Sequence, residues 1–586
     1  MAETLLSPGV FLQENDASQI TQGPITAGAA IIGPTVTGPV NIPTVVTTYS
    51  QYKSIFGAAF ISGGATYEYL TSLAALNYFE QGGTSLLVTR VASGSYTPAT
   101  ANVTAPAGTA FTLETLSVGA IMNNSGSVTG AYTASGALPS GSASNIRWEV
   151  TGANSGSGVF SIIIRQGDDN NNSKTILETW NNLSLDPNQN NYIGYVIGDQ
   201  TQNTALDSTG NYYLQISGSY ANKSNYVRVK SVSLPTPGYF DQNGNAQTQY
   251  TASIPSVGSG SIYGAFSGAT GPAYGCFGLA PLNMFEAIPT AAATTDANNI
   301  QGLQNSSYNI AINLLGNQDA YDFNVIYAPG LTSQNSISQV SGLLNLAQTR
   351  GDNIAVIDMV GYGAQINTVI NQAVSYDNSY GATYWPWVQV RSRETGKINF
   401  VPASTLVPAV YEYNDRVSAE WFAPAGLNRG ALSTVLQPER KLTVSDRNLL
   451  YQGKVNPIAT FPGVGTVIYG QKTLQQKPSA LDRVNVRRLL IALKSYIGQL
   501  GENIVFEPNT QVTRNKFLNQ VNPYLESVQQ RQGLYAFQVV MDETNNTPDV
   551  VDRNQLVGTI YLQPTKTAEF IQLNFNILPT GTTFGQ

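Results

Sequence analysis

The sequence predicts an α+β multidomain chain: an α/β unit split by an inserted all-β segment, then a C-terminal α/β domain, with a strand-forming arm at each extremity. Three observations carry this. Apolar runs of strand length alternate with helical periodicity between residues 24 and 92 and again beyond residue 320. Between those stretches charge nearly vanishes, Glu114 being the only charged residue between Arg90 and Arg147, and short alternating runs separated by Asn/Gly/Ser clusters take over. At 586 residues the chain also exceeds what one hydrophobic core accommodates.

Residues 1–23 are an arm, carried by TLLSPGVFLQE, in which Leu5, Leu6, Val10 and Phe11 flank Pro8-Gly9. Pro8 opposes a helix and suits an edge strand. Residues 24–92 form the first half of the α/β unit. There AGAAIIG (27–33) reads as a buried strand, residues 49–57 as a short helix, 65–83 as a longer one with Tyr69, Leu73, Leu76 and Phe79 at helical spacing, and SLLVTRVA (85–92) as a second strand. Residues 93–261 are the inserted β segment, with runs such as IRWEV, VFSIIIRQ, YYLQIS and NYVRVKSV. The α/β pattern resumes over 262–428: a strand at 323–330, a helix at 333–349, a strand at 353–360, a helix at 364–376 and YWPWVQVRS (384–392) closing the set.

The C-terminal domain, 429–568, opens its main helix pattern at Ser479 and runs it to Leu500. Ser479 and Asp482 have capping-box spacing after Pro478. Leu489, Leu493, Ile497 and Leu500 make its apolar stripe, with Arg483, Arg487 and Lys494 on other faces and Arg488 beside the stripe. A second helix pattern and three strand-like runs follow. The last of these, in the arm 569–586, is EFIQLNFNIL, where Ile571, Leu573, Phe575 and Ile577 alternate with Phe570 and polar residues.

Composition narrows function. Only 11% of residues are charged, against about 25% in an ordinary globular chain. With 55 glycines and 32 tyrosines, the surface is one that hydrogen-bonds and suits dense packing against like copies. The absence of histidine removes Ser-His-Asp and Cys-His catalysis and His-rich metal sites. The single cysteine, Cys276, reads as a small buried hydrophobe. No cofactor or metal is expected. The first ten residues lack Lys and Arg, no signal-type apolar region follows, and no window approaches the roughly 18 apolar residues of a membrane span. Synthesis in a cytoplasm without a Sec signal is therefore expected, and no membrane insertion. Residues 429–531 hold 14 basic and 6 acidic residues in a chain of net charge −7, which points to an acidic partner surface. No aromatic platform accompanies the arginines, so nucleic acid is not the expected partner.

Candidate motifs fall short. GVGTVIYGQKT (463–473) breaks the Gly-Lys-Thr order of a phosphate loop, and VGYGAQ lacks a third glycine where Ile366 stands. DQNGNAQTQYTA (241–252) ends on Ala252 where a calcium loop needs a glutamate, and reads as a hairpin turn. Asp352 and Asp358 flank a strand with no partnering base, and no enzyme activity is expected.

Several segments, in one order, resemble the tail sheath proteins of contractile-tailed bacteriophages: TLLSPGVFLQE, PASTLVPAVYEYNDRVSAEWFAPAGLNRG (402–430), ALDRVNVRRLL, FEPNTQVTRNKFLNQVNPYLE and NNTPDVVDRNQLVGTIYLQPTKTAEFIQLNF. The resemblance covers roughly residues 4–92 and 320–580. It implies an inner C-terminal domain, a middle α/β domain and an outward-facing β insertion. It further implies stacked hexameric rings of one subunit around a tail tube protein, bounded by baseplate and tail terminator proteins, assembled in the host cytoplasm as part of the virion tail. Leu5, Leu6, Pro8, Gly9, Val10 and Phe11 would belong to one donated linking strand, and Phe570, Ile571, Leu573, Phe575 and Ile577 to another. Contraction would drive the tube through the host envelope. Arg483, Arg487, Arg488 and Lys494 are expected to face an acidic tube wall. The nearest alternative is the sheath of a non-viral contractile injection system, and a surface-layer or adhesin protein is the alternative from another class.

Overall fold

Strands buried on both faces read as continuous apolar runs, and such runs build the centre of this molecule. The structure, a computed structural model, describes residues 25–62, 65–119, 136–138, 141–255, 263–270 and 303–572. Its central sheet contains β1 (Ile25–Gly33), β2 (Thr44–Val46), β3 (Leu86–Arg90), β4 (Tyr321–Thr332), β5 (Ile354–Asp358), β6 (Gly381–Trp385), β7 (Asn456–Phe461) and β8 (Gly465–Ile468). The spatial order is β2-β3-β1-β4-β5-β6-β7-β8. Neighbours from β3 to β7 run parallel, while β2 and β8 close the two edges antiparallel.

Alternate residues divide between two cores. Ile32, Leu87, Ile326, Ala355 and Ile357 face one side, where α3 (Ile337–Arg350) and α4 (Ile366–Val374) pack. Ile31, Val88, Val325, Val356 and Tyr384 face the other, covered by α1 (Tyr49–Phe56), α2 (Leu70–Glu80) and α5 (Val407–Val417). The left-handed Gly351 stops α3, a conformation in which a Cβ would be strained.

Several expectations need correction here. The helix expected over 65–83 begins only at Leu70, because Ala65–Glu68 pair antiparallel with Ala59–Ser62 and Tyr69 is extended. It has no single stripe, since every residue from Leu70 to Tyr78 is buried. YWPWVQVRS is likewise two strands. Pro386, which has no N–H to give a ladder, separates β6 from Val388–Arg391, and the latter joins Ile398–Val401 and Val435–Pro438 in a small antiparallel sheet. The boundary expected at 428/429 falls inside the central sheet, which is completed only by β7 and β8.

The inserted strands form an antiparallel sandwich. Pro98–Ala105, Gly108–Val118 and Val227–Val232 make one sheet, and Ile146–Asn154, Val159–Gln166, Ile176–Ser184 and Tyr263–Ala265 the other. Phe111 and Leu113 meet Trp148, Phe160 and Ile162 between them. Tyr263 pairs with Glu149, and Phe266 enters that core, so the unit extends past the expected limit of residue 261. Its two connections to the α/β unit lie side by side: the Ser93 hydroxyl is 2.7 Å from that of Ser307 and accepts from the Gln304 amide. Asp241 accepts from the amides of Asn243 and Asn245, so DQNGN is a hairpin turn. Cys276 lies outside the described residues.

Beyond the sheet, α6 (Val444–Gln452) leads into β7, and α7 (Val484–Glu502) and α8 (Gln511–Gln530) pair beneath a hairpin of β9 (Leu534–Val540) and β10 (Thr559–Pro564). Along α8, Thr513, Phe517, Val521, Leu525 and Val528 are buried at three- and four-residue spacing. They meet Leu489, Leu493 and Leu534 in a separate hydrophobic core.

Candidate subunit-linking site

The β9–β10 hairpin is a two-stranded sheet, and among the described residues no third strand pairs with it. Phe537, Val539, Ile560 and Leu562 lie against the helical layer, whereas Tyr535 and Tyr561 on the opposite face are 63% and 60% exposed. Two strands alone are marginally stable in water, so the helices supply the support. The open edges remain as rows of backbone donors and acceptors.

The helix beneath the hairpin starts later than Ser479 predicts. Ser479 accepts from Leu481 and caps a 3₁₀ turn at Ala480–Asp482, Arg483 is extended, and α7 begins at Val484. The expected capping box does not close, because Asp482 turns to Arg483 (2.8 Å) and Lys454 (3.8 Å). The GQKT segment seats this turn: Gln471 O accepts from the Val484 amide, and the Thr473 amide donates to Asp482 O.

Arginines near a helix N-terminus oppose the helix dipole and need compensation. Arg488 is 3% exposed and forks onto the Asp415 carboxylate of α5, with a 2.8 Å Nη1–Oδ1 bond, over the Tyr411 ring. Burial works against its charge, but Asp415, Glu420 and Tyr411 outweigh it and hold Arg488 above its ordinary pKa. Arg487, 4% exposed, lies 4.0 Å over the Tyr380 ring and donates to Ser379; burial pushes its pKa down. These two arginines therefore cannot present their charge to a tube wall. They instead rivet α7 to the central unit, which corrects the expectation made for them. Lys494 is exposed, with its Nζ 3.3 Å from the Tyr380 hydroxyl.

Arg483 is half-buried and belongs to a clasp. Its Nε donates to Glu569 at 2.7 Å, and the same carboxylate accepts from the Tyr451 hydroxyl (2.8 Å) and Gln471 Nε2 (3.0 Å). Gln471 also donates to the Thr567 hydroxyl at 2.6 Å. Immediately beyond, Phe570 and Ile571 are 84% and 77% exposed. Leu573, Phe575 and Ile577, and the N-terminal arm residues Leu5, Leu6, Pro8, Gly9, Val10 and Phe11, lie outside the described residues.

The segment 402–430 supplies the rest of the joint. Tyr411 bonds the Tyr384 hydroxyl at 2.6 Å, Asn414 Nδ2 donates to the carbonyls of Ala419 and Phe422, and Trp421 Nε1 donates to Arg531 O at the end of α8. Sequence reasoning assigned no role to Asp415, Tyr451, Gln471 or Glu569. Asp415, Gln471 and Glu569 lie within quoted segments, but nothing there pointed to their partners. Among the described residues no group of three or more His, Cys, Asp or Glu is arranged to hold a metal.

Comparison with known proteins adds to this geometry. Residues 301–474 match the phage tail sheath protein central domain, and residues 476–578 the phage tail sheath C-terminal domain. The tail sheath protein of Enterobacteria phage T4 is 39% identical over 187 residues, covering 32% of this chain and 28% of that protein. That of Vibrio phage KVP40 is 36% identical over 261 residues, covering 44% and 39%. The chain thus spans less than half the length of these curated relatives. Among solved structures, the sheath tail protein Lin1278 of Listeria innocua aligns over 93% of this chain and 96% of its own at 10% identity and a TM-score of 0.49. A contracted PVC sheath complex from an extracellular contractile injection system aligns over 47% and 75% at 25% identity and a TM-score of 0.40. Over residues 301–474 and 476–578, this chain thus carries the central and C-terminal domains of the phage tail sheath family.

Proposed function

We propose that the chain is a structural, non-enzymatic subunit of a contractile phage tail sheath. It polymerises as stacked six-fold rings into a helical sheath around a tail tube, between baseplate and terminator proteins. Contraction of that sheath drives the tube through the host envelope. Copies are linked by strand donation: the arms at residues 1–23 and 569–586 of neighbouring subunits add to the free edges of the β9–β10 hairpin. The observation that carries this reading is a supported two-stranded sheet with open edges, next to an arm that leaves its clasp with Phe570 and Ile571 bare. Strand addition would satisfy the edge donors and acceptors, while alternate side chains of EFIQLNFNIL supply an apolar face.

Lys494 is the part of the basic helix left for an acidic tube wall. Such a surface contact is weak and screened by salt, which suits a grip that must release. The test is electron microscopy of the purified chain beside versions lacking residues 1–23 or 573–586. Tubes from the full chain, absent from both truncations, are the expected result. Tubes of unchanged length from either truncation would sink strand donation by that arm.

A further inference from the structure

Two carboxyls three residues apart on α5, Glu412 and Asp415, serve different neighbours. Asp415 reaches α7, where it forks onto Arg488. Glu412 reaches α2, where it is hydrogen-bonded to the Tyr78 hydroxyl. The approach is close because β1 has Gly28 at that point. A Cβ there would stand 2.6 Å from Glu412 Oε1 and would meet the Tyr78 hydroxyl as well.

The Tyr78 hydroxyl has one proton to give, and it gives it to Ser85 O, 3.0 Å away at the foot of β3. A carbonyl returns none, so the bond between Glu412 and Tyr78 has to carry a proton that Glu412 supplies. The donors thus run from Glu412 to Tyr78 to Ser85 O, which requires Glu412 to be a neutral acid. Its surroundings favour that form. Burial, then the Asp415 carboxylate, push Glu412 up to about 7, with Glu420 adding to the rise and Arg488 and the Tyr78 bond opposing it. Glu420, just beyond α5, is itself raised by burial. The remaining neighbours are the buried Tyr327 of β4 and Arg416, whose guanidinium lies against Gly82 behind α2. Three carboxyls therefore stand around the buried Arg488, and Asp415 is the one bonded to it. Once the Glu412 proton leaves for bulk water, the carboxylate becomes an acceptor and turns the phenol proton toward itself. Ser85 O then keeps the Gly28 amide, 3.1 Å away, and loses Tyr78. A second carboxylate also begins to compete for Arg488.

We propose that Glu412 is a proton-held latch between α2 and α5, closed while it donates to Tyr78 and released above neutral pH, so that the seat of α7 on the central unit depends on pH. The sign follows from the raised value: the stabilisation is complete below about 4.5 and is lost as pH rises through about 7. The test is amide hydrogen exchange by mass spectrometry on the full chain at about pH 6 and about pH 8.5. Rates are corrected for their intrinsic pH dependence, with strand peptides of the β sandwich as internal reference. A carboxyl that moves from about 7 to 4.5 on opening raises the opening equilibrium about tenfold between those conditions. That rise is expected in peptides spanning residues 74–88 and 407–417 of the unaltered chain. Glu412→Gln, whose amide still donates to Tyr78, should abolish it, while Glu68→Gln should retain it. A thermal melt at about pH 6 matching that of the unaltered chain shows that Glu412→Gln is folded. Flat exchange in the unaltered chain, a full rise in folded Glu412→Gln, or loss of the rise in Glu68→Gln would each overturn the latch. Should Glu412→Gln not fold, the other two chains decide: both show the rise, or the proposal falls.

Discussion

The chain carries two sheets of opposite character. The central one has eight strands, both faces covered, and edges blunted by strands of three and four residues, β2 and β8. The β9–β10 sheet has two strands of seven and six residues, one face supported, and no covering strand among the described residues. Short edge strands are a common defence against unwanted pairing, and the long open pair forgoes it. The first sheet completes itself within the chain. The second is not completed by any strand among the described residues, and α7 joins the two through two buried arginines.

The largest test of this contrast is Phe570→Asp with Ile571→Asp. Both side chains are exposed in the isolated chain, so its melting should move by no more than about 0.5 kcal/mol. Sheath formation, scored by sedimentation and microscopy, should be lost. Retained polymers would mean that these residues are not part of the link.

Asp415→Ala attacks the joint between the sheets. It strands the buried Arg488 charge, a loss that costs about 3–5 kcal/mol in comparable buried pairs. Chemical denaturation should show the whole chain weakened. A change below about 1 kcal/mol would mean that the pair is not what holds α7 in place.

Glu68 tests the closed region by pH. It is 1% exposed, and burial pushes its carboxyl up to about 7, with hydrogen bonds from Ser392 and Ser72 opposing the rise. The folded state therefore keeps a proton that the unfolded chain releases near 4.5. The stability this contributes is full below that value and is lost as pH rises through about 7. Glu68→Gln should flatten that decline in thermal midpoint. Asp358, raised by burial to about 6 and bonded by Ser404, should leave a residual slope in the variant. A wild-type midpoint that is level between pH 4.5 and 7.5 would count against the buried acids.

The smallest effect is expected from Lys494→Glu. Monomer stability should hold within about 0.5 kcal/mol, while association with tail tubes should weaken, and more so at low salt. Salt-independent binding would remove Lys494 from the tube contact.

The alternation of β4, α3, β5 and α4 was legible because parallel strands buried on both faces are uninterrupted apolar runs. The existence of a second helix after α7 was legible for a similar local reason, although its buried face appears only in the structure. The start of α7 was not, since a capping-box spacing also fits the 3₁₀ turn that Ser479 caps. Nor was the burial of Arg487 and Arg488, whose partners lie far off: Asp415 is 73 residues upstream and Ser379 is 108. Periodicity reports which face a residue occupies, and here the opposite face was covered as well. The boundary at 428 failed because β7 and β8 rejoin the sheet after several short elements and a rise in positive charge.

The hydroxyl pair of Ser93 and Ser307 has one more consequence. Where the chain departs from the α/β unit and where it comes back are neighbours in space, so the β sandwich is inserted at one place along the chain, although it also packs on the unit below, where Ser117 accepts from the Gly38 amide. Anything with closely spaced termini would fit that socket without stretching the sheet below it. The inserted part of such a chain is thus open to exchange for another domain whose termini lie close together, with the central sheet left as it is.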